Sequence, residues 1–442
     1  MPFKFSIRDF IANSDGNVAI ISAFAILPML LLAGGATDVA RHEAYRAQLQ
    51  DGVDRAVLAA ASLTQKRPVE DTVRDYLKTL PFEADVALDF QHTTSTNERQ
   101  VTVTASYQMP TAFLPLIGLN TIAVNASATA LEKRKNIEIS LMLDISGSMR
   151  FREPSTAPTR ISLLRPAAKS FIDTLVTADT SAYTSVSIVP YAGSVNPGAL
   201  VFDFLGVPRQ HNYSSCVEFN LNDYGVGLIP FNQRTQVAHF TQNHQGVNEP
   251  GLEWSWCPYE QTAITYLSND ANVLKAKIDN MKMHDGTGTA IAMNWGMMLL
   301  EPAAQPLVAQ GVAAGLIPSQ FSGRPASFND QNTLKFIVLM TDGDISAQYR
   351  PNTYAYPRTP AVSNYEAQSR SSARDKMYAI CTRAKNNGVV VFTIGFQLTE
   401  TGKTEMRTCA SSPSHFFDVS GLDIAAAFQS VATSIQKIRL TN

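Results

Sequence analysis

The chain has 442 residues, 45% of them hydrophobic, which is enough for two or three domains with full cores and excludes a disordered protein. The formal net charge is -2, and charges of both signs are dispersed, so no basic face for nucleic acid is expected. The four cysteines form no Cys-x-x-Cys pair, which disfavours a zinc site.

The N-terminal region predicts a membrane anchor. Residues 1–17 are polar, and residues 18–36 then run without a charge. A helix of that length can cross a bilayer, and Pro28 is tolerated in membrane helices. A cleaved secretory signal is the competing interpretation, but the apolar run is longer than a typical signal core and has no obvious Ala-x-Ala site. We therefore predict an N-terminal cytoplasmic segment at 1–17 and a retained transmembrane anchor at 18–40.

The orientation of this anchor is left open by its flanking basic residues, because both flanks carry them. The cysteines decide it, since all lie beyond residue 200 and an even number is consistent with two disulfides in an oxidising compartment. The simplest pairing is Cys216–Cys257 and Cys381–Cys409, although three pairings are possible and free buried thiols in a cytosolic protein remain the alternative. Disulfides would place the large C-terminal part outside the cytoplasm.

Residues 41–134 have a pilin-like pattern. Apolar residues recur at helical spacing after the anchor, so the membrane helix is expected to continue outward as an amphipathic one. A short helix at 70–80 and alternating strands at 86–90, 100–105 and 121–130 follow. The helical positions are Tyr45, Leu49, Val53, Ala56, Val57, Ala60 and Leu63.

A cation-binding loop is predicted where a strand-like apolar run, Ile139–Leu143, stops at Asp144. Ser146 and Ser148 follow at alternate positions. One carboxylate and two hydroxyls on a tight turn are hard oxygen ligands, which suit magnesium or manganese better than zinc or copper. A buried parallel strand carries such a site at its carboxyl end.

The remainder, residues 135–442, alternates apolar strands with helices, which predicts an α/β fold with a doubly wound, mostly parallel sheet. Long insertions are expected at about 192–266, 302–332 and 345–370, the second as a surface excursion and the third as irregular chain. Pro190 suggests an early strand end or an edge strand. Trp254 and Trp256 in the first insertion are either an exposed interface or part of a small core.

The metal loop resembles that of the von Willebrand factor A domain, whose metal-ion-dependent adhesion site has the pattern Asp-x-Ser-x-Ser. The resemblance implies two further loops. Thr287 matches the threonine of the second loop, with Thr289 a neighbour that could be mistaken for it, and Asp342 follows the next apolar strand, 334–340. It also implies that the serines and, in the ligand-engaged form, Thr287 bind Mg²⁺ or Mn²⁺ directly, while Asp144 and Asp342 act largely through water.

The N-terminal segment resembles the TadE/TadG-like proteins of tight-adherence (Flp) pilus assembly. The resemblance rests on residues 15–20, Pro28 and residues 34–41, with their Gly-rich exit and Asp-x-x-Arg. Pseudopilins that are processed carry a glutamate where Ile21 lies here, so we expect an uncut anchor. The family implies a bacterial cell-envelope protein, single-pass in the inner membrane, with its C-terminal domain in the periplasm.

These resemblances predict a metal-dependent protein-binding module that acts in pilus assembly or anchoring. Its partners would be other pilus components, one of which completes the metal coordination with an acidic residue. A surface adhesin or structural envelope protein, in which the metal only stabilises the loops, is the alternative. No enzyme is expected, because phosphate-loop, metalloprotease and nucleophile-elbow motifs are missing from the sequence. His284 is expected to be a solvated loop residue. Asp344 is expected either to support the direct ligands or face a partner, or to be an exposed turn acid.

Overall fold

The structure is a computed structural model that describes residues 17–95, 97–152, 157–242, 255–352, 364–420 and 423–441. It divides into two compact units, Met1–Lys133 and Arg134–Asn442.

The first unit is built on one long helix. Helix α1 (Asn17–Ala61) is continuous over 45 residues, and the short helix α2 (Val69–Leu77) follows it. Strands β1 (Val86–Thr94), β2 (Glu98–Pro110) and β3 (Thr121–Lys133) form a 3-stranded antiparallel sheet in chain order. The helix therefore continues past the charge-free run as predicted, and the strands are longer than expected.

The two halves of α1 have different environments. In the second half, Leu49, Val53 and Ala56 are fully buried and pack with the inward-facing Val101 and Val103 of β2. In the first half, large apolar side chains are exposed, and Ile20–Ala61 contains a window long and apolar enough to cross a membrane. The C-terminal half of one helix is thus the core of a small domain, whereas the described side chains of its N-terminal half are mostly exposed, apart from positions near Gly34 and Asp38.

The second unit contains a 6-stranded sheet. Its order is β11-β10-β7-β4-β5-β6, parallel except for the edge strand β6. The strands are β4 (Asn136–Asp144), β5 (Thr184–Tyr191), β6 (Thr265–Ser268), β7 (Thr333–Thr341), β10 (Val390–Phe396) and β11 (Phe416–Val419). A separate antiparallel pair consists of β8 (Gln348–Pro351) and β9 (Asn364–Gln368).

Helices cover both faces of this sheet. They are α3 (Arg160–Leu175), α4 (Ala199–Phe204), α5 (Ala271–Asn280), α6 (Thr289–Met298), α7 (Gln305–Ala313), α8 (Arg370–Asn386), α9 (Glu400–Cys409) and α10 (Ile424–Thr441). One apolar core lies under α6 and α8 and the other under α3 and α10. Because the central strands are buried on both faces, they are continuous apolar runs, and the predicted doubly wound fold is confirmed.

A disulfide closes a loop within the first insertion. Cys216–Cys257 is one of the two disulfides and Cys381–Cys409, between α8 and α9, is the other, so the simplest pairing is the one observed. Trp256 is 0% exposed and stacks on Phe240 with ring centroids 5.8 Å apart, which makes it a core residue. Trp254 lies outside the described residues.

Two expectations about chain segments were wrong. The segment from 302 to 325 is not a surface excursion, because it contains α7 and because Arg324 reaches under the sheet to donate to the carbonyls of Ile137 and Tyr183. The segment after 345 is not wholly irregular, since it forms the β8-β9 pair. The prediction for Pro190 is confirmed, because it is the last-but-one residue of β5 and lies beyond Val186 and Ile188, where β6 pairs with β5, so that side of β5 is a local edge.

Candidate metal centre

The candidate site lies where the strand order of the sheet reverses. Strands β4 and β7 are neighbours in the sheet, and the chain leaves them toward opposite sides. Ligands bind doubly wound sheets in the crevice beyond the carboxyl ends of such strands. Asp144 is the last residue of β4 and Asp342 directly follows β7, so the fold places both carboxylates at this crevice.

Asp144 is held by the two loops that flank the crevice. Its side chain is 0% exposed, its Oδ1 accepts the backbone N–H of Ser146 at 2.8 Å, and its Oδ2 accepts the Thr341 hydroxyl at 2.7 Å. The first bond closes the turn after β4 and the second links that turn to the end of β7. Asp144 therefore fixes the relative position of the two loops.

The two serines continue this network. Ser146 Oγ lies 2.8 Å from Ser148 Oγ, and the Ser148 hydroxyl donates to Asp342 Oδ1 at 2.6 Å. Four of the five predicted site residues, Asp144, Ser146, Ser148 and Asp342, are thus brought together. Their oxygens form a compact set of two carboxylates and two hydroxyls.

Arg160, at the start of α3, is a member of the site that the sequence did not reveal. It is only 7% exposed, and its Nη1 donates to Asp342 Oδ2 at 2.9 Å and to the Asp342 carbonyl at 3.0 Å. Its Nε donates to Gln397 Oε1 at 2.7 Å. Arginine was not predicted here because it follows Asp144 by 16 residues in an ordinary helix start, with no motif to mark it.

Burial shapes the charge of the site. Removal from water raises the pKa of Asp144, and burial together with the Asp144 charge raises the pKa of Asp342 to about 7. Arg160 and the Ser148 hydroxyl favour the ionised form of Asp342 and oppose this rise. Two buried carboxylates beside a single arginine leave negative charge that a cation would compensate.

The second loop, which carries His284 and Thr287, lies alongside the first. His284 N–H donates to the carbonyl of Ile145 at 2.8 Å, and Ser146 and His284 form an isolated parallel bridge. Thr287 is partly exposed, and its main chain exchanges hydrogen bonds with Ser346 in the loop after β7. All three loops therefore meet. Within the described residues, however, the hydrogen bonds of Thr287 go to Ser346 and not to Asp144, Ser146, Ser148 or Asp342. Its role as a ligand stays a prediction.

Thr289, the neighbour of Thr287, is fully buried at the first turn of α6. Its hydroxyl lies beside the phenol of Tyr191, which pairs with Asp144 across β4 and β5, and a hydrogen bond with Thr289 opposes the rise that burial causes in the pKa of Tyr191. Because this buried hydroxyl lies next to a neighbour of Asp144, Thr289 is the second threonine to test in this loop.

The expectation that His284 is a solvated loop residue was wrong. His284 is 0% exposed, and its Nδ1 lies 3.2 Å from Ser255 Oγ, so it is a packed residue and not a solvated one. Asp344 accepts the Thr399 hydroxyl at 2.5 Å and pairs with Arg370 at 3.2 Å. Its carboxylate therefore ties the loop after β7 to α8 and α9.

The donor set fits a hard divalent cation. Hydroxyl and carboxylate oxygens suit Mg²⁺ or Mn²⁺. The site has only two carboxylates, and the described residues contain no cluster of three or more His, Cys, Asp or Glu side chains that could hold a metal. Ser146 and Ser148 would bind such an ion directly, with Asp144 and Asp342 supplying charge. With few direct carboxylates, the ion would retain affinity for an acidic group from outside.

The fold defines the class of the second unit. Counted along the chain, the strands of its sheet lie in the order 3-2-1-4-5-6 from the antiparallel edge, with the Asp-x-Ser-x-Ser loop at the carboxyl end of the first strand. This is a von Willebrand factor A fold. The first unit has a long helix against an antiparallel sheet, the layout predicted as pilin-like.

The N-terminal segment is TadE/G-like: residues 16–63 match the family model described as putative Flp pilus-assembly TadE/G-like. No curated protein matches the chain.

Solved structures with similar folds include the pilus adhesin SpaC from Lactobacillus rhamnosus GG, at 14% identity and a TM-score of 0.40 over 80% of this chain. The chain spans only 35% of the length of SpaC. The von Willebrand domain of the type V pili tip protein Mfa5 from Porphyromonas gingivalis is 13% identical, with a TM-score of 0.38 over 69% of this chain and 97% of that one. These likenesses are too distant to support an argument about function.

Gly288→Ala is expected to disturb the second loop and lower the free energy of unfolding by about 1–3 kcal/mol. A Cβ at Gly288 would lie 2.5 Å from the carbonyl oxygen of Gly193 and 3.0 Å from that of Ala192, and backbone cannot move aside as a side chain can. Denaturant unfolding measures the loss, with Gly323→Ala as the matched control, since a Cβ there meets nothing within 4 Å. Equal stability of the two variants would contradict the close approach.

Proposed function

We propose that this protein is a membrane-anchored, divalent-cation-dependent protein-binding module that acts in Flp pilus assembly or anchoring. The observation that carries the proposal is the convergence of Asp144, Ser146, Ser148 and Asp342 at the switch point of an A-type fold. The TadE/G-like segment at 16–63 supports the pilus connection and the anchor in a bacterial envelope membrane. The two disulfides support a periplasmic location for the second unit.

The binding step follows from the chemistry of the site. Mg²⁺ or Mn²⁺ would be held by Ser146 and Ser148, with Thr287 joining when a partner is engaged. The buried charges of Asp144 and Asp342 would hold the ion in the crevice, and a partner Asp or Glu would complete its coordination. Partner affinity then depends on the cation, and the partners are other pilus components. Among the described residues, both carboxylates of the site are buried and already accept hydrogen bonds from Ser146, Thr341, Ser148 and Arg160, which supports binding over general-base catalysis.

Calorimetry of the full chain in detergent tests the cation site. We expect the natural sequence to bind Mg²⁺ or Mn²⁺ and the double variant Ser146→Ala, Ser148→Ala to lose at least about tenfold in affinity, or about 1.4 kcal/mol. The matched control is Ser412→Ala, Ser414→Ala, which removes another serine pair with hydroxyls 2.8 Å apart, near the opposite end of the sheet. Equal binding by the site variant and the natural chain would exclude this site.

A structural role for the cation is the second candidate. It is favoured by the hydrogen bonds Ser148–Asp342 and Thr287–Ser346, which already join the loops. Binding would then belong to the first insertion, where Tyr213 and Leu221 are exposed at 41% and 48%. Capture of purified pilus components that persists in chelator but is lost in Tyr213→Ala, Leu221→Ala would support this function over the first.

A further inference from the structure

The turn between β2 and β3 exposes a group of large apolar side chains. Within residues 111–120, Phe113, Leu116, Ile117 and Leu119 are 41%, 71%, 57% and 51% exposed. Leu114–Ile117 forms a single 3-10 turn, which ends at Gly118 with a φ of 87°. Contiguous exposed apolar groups of this kind mark a surface that is covered in use. We call residues 113–119 the apolar loop.

A buried carboxylate holds this loop against α1. Asp38 is 0% exposed, its Oδ1 accepts the N–H of Ala112 at 2.8 Å, and its Oδ2 accepts those of Phe113 at 2.8 Å and Leu114 at 3.0 Å. Hydrogen bonds to an ionised acceptor are about twice as strong as neutral ones. Three of them on consecutive donors fix the start of the loop on one turn of the helix.

Two glycines on α1, Gly34 and Gly35, allow the apolar loop to approach the helix closely. A Cβ at Gly34 would lie 2.4 Å from the Phe113 ring, and one at Gly35 would lie 3.4 Å from Leu114. The loop therefore covers the helix from Gly34 to Asp38. The contact needs glycine at the first of these positions, where any side chain would displace Phe113.

The position along α1 at which the apolar loop makes contact indicates what covers the loop. Gly34 belongs to the charge-free run at 18–36, which at 1.5 Å per residue is about 27 Å long, close to the roughly 30 Å of a bilayer core. The loop thus meets the helix at the end of its apolar run. Phe24, Met29 and Leu32 on the same helix are also exposed, so the apolar surface of the loop continues that of the spanning segment.

We propose that the apolar loop inserts into the leaflet from which α1 emerges, so that lipid acyl chains cover Leu116, Ile117 and Leu119. This inference rests on the proposed transmembrane role of α1. The small domain is then attached to the bilayer at two points, the helix and the loop, with Asp38 joining them just outside the hydrocarbon. Lipid is the occupant because the loop surface is continuous with a surface that must face lipid if α1 spans the membrane.

Quenching by brominated lipids tests the insertion. The four native cysteines are paired in disulfides, so a cysteine introduced at Leu116 can be labelled alone with an environment-sensitive fluorophore. The full chain is reconstituted in phosphatidylethanolamine and phosphatidylglycerol vesicles with or without bromine on the acyl chains. We expect strong quenching for Leu116→Cys, as for Phe24→Cys in the spanning segment.

Thr94→Cys is the matched control. It is exposed and pairs with Arg99, whose Nη1 donates to the carbonyl of Ser62 just beyond the end of α1. Gly34 and Ser62 are 28 residues apart, about 42 Å along a helix, so a label at Thr94 is expected to show no quenching.

The outcomes separate the loop from the anchor. Quenching at Phe24→Cys without quenching at Leu116→Cys would overturn the insertion and leave the spanning helix. An emission shift at Leu116→Cys without bromine quenching would mean that protein covers the loop, which also overturns it. Absence of quenching at both positions would refute the anchor itself. Asp38→Asn is then added to each labelled variant. It is expected to reduce quenching of the label in Leu116→Cys and to leave quenching of the label in Phe24→Cys unchanged.

Discussion

Lys335→Met is expected to lower the free energy of unfolding of the second unit by about 3–5 kcal/mol, since it leaves a buried carboxylate without its partner. Lys335 on β7 and Glu138 on β4 are paired in register at the centre of the sheet and are 5% and 2% exposed. The Lys335 ammonium donates to Glu138 Oε2 and, at 3.0 Å, to the carbonyl of Leu300. Glu138 Oε1 also accepts the N–H of Ala326 at 2.9 Å.

A double variant identifies the cause. Glu138→Gln, Lys335→Met removes both charges and retains an acceptor for Ala326, so it is expected to recover most of the loss. The exposed pair Lys275–Asp173 supplies the control, since Lys275→Met should cost less than about 1 kcal/mol. Denaturant unfolding followed by circular dichroism measures all four chains. If the single and double variants were equally unstable, the unpaired charge would not be the source of the loss.

Asp144→Asn is expected to weaken Mg²⁺ binding by at least about 100-fold, which corresponds to about 2.7 kcal/mol. A buried carboxylate attracts a nearby divalent cation by several kcal/mol at an effective dielectric constant of about 20, and the amide loses that attraction. The local structure should survive the change. The Asn carbonyl can still accept the Ser146 N–H, and its amide can donate to Thr341 Oγ1, which can turn its proton to the carbonyl of Gly343 at 3.2 Å.

Although Asp144→Asn is expected to weaken Mg²⁺ binding, it is not expected to lower the stability of the metal-free protein. Burial raises the pKa of Asp144, so ionising it in the folded protein costs free energy when no cation compensates. Without added metal, Asp144→Asn should therefore melt at or above the temperature of the natural chain. With Mg²⁺, the natural chain should gain stability and the variant should not. Thermal unfolding in chelator and in Mg²⁺ measures both, and a natural chain that gains nothing from the ion would contradict the site.

The sequence predicted the sheet well because its strands are buried on both faces. Apolar runs such as 139–143 and 334–340 have no amphipathic alternative, and the polar residues directly after them must fall at the carboxyl edge of the sheet. The same reasoning predicts Asp144 at that edge, and the resemblance to the von Willebrand factor A domain adds Asp342.

Long-range contacts of polar side chains were not predictable in this way. Arg160 and Arg324 look like ordinary charged residues in sequence, and only the folded chain brings one to Asp342 and the other beneath β4 and β5. His284 gave no signal of burial either, because its local sequence is that of a polar turn.

The continuity of α1 has a mechanical consequence. The helix is about 68 Å long at 1.5 Å per residue, and it passes from the apolar run into the core of the small domain without a loop. If the first half is embedded in a membrane, no flexible joint separates the domain from the bilayer. A load applied to the domain would pass along helical hydrogen bonds directly into the embedded segment, and tilting the domain would require tilting the segment within its lipids. The small domain would then keep a fixed tilt relative to the embedded segment, and therefore relative to the membrane.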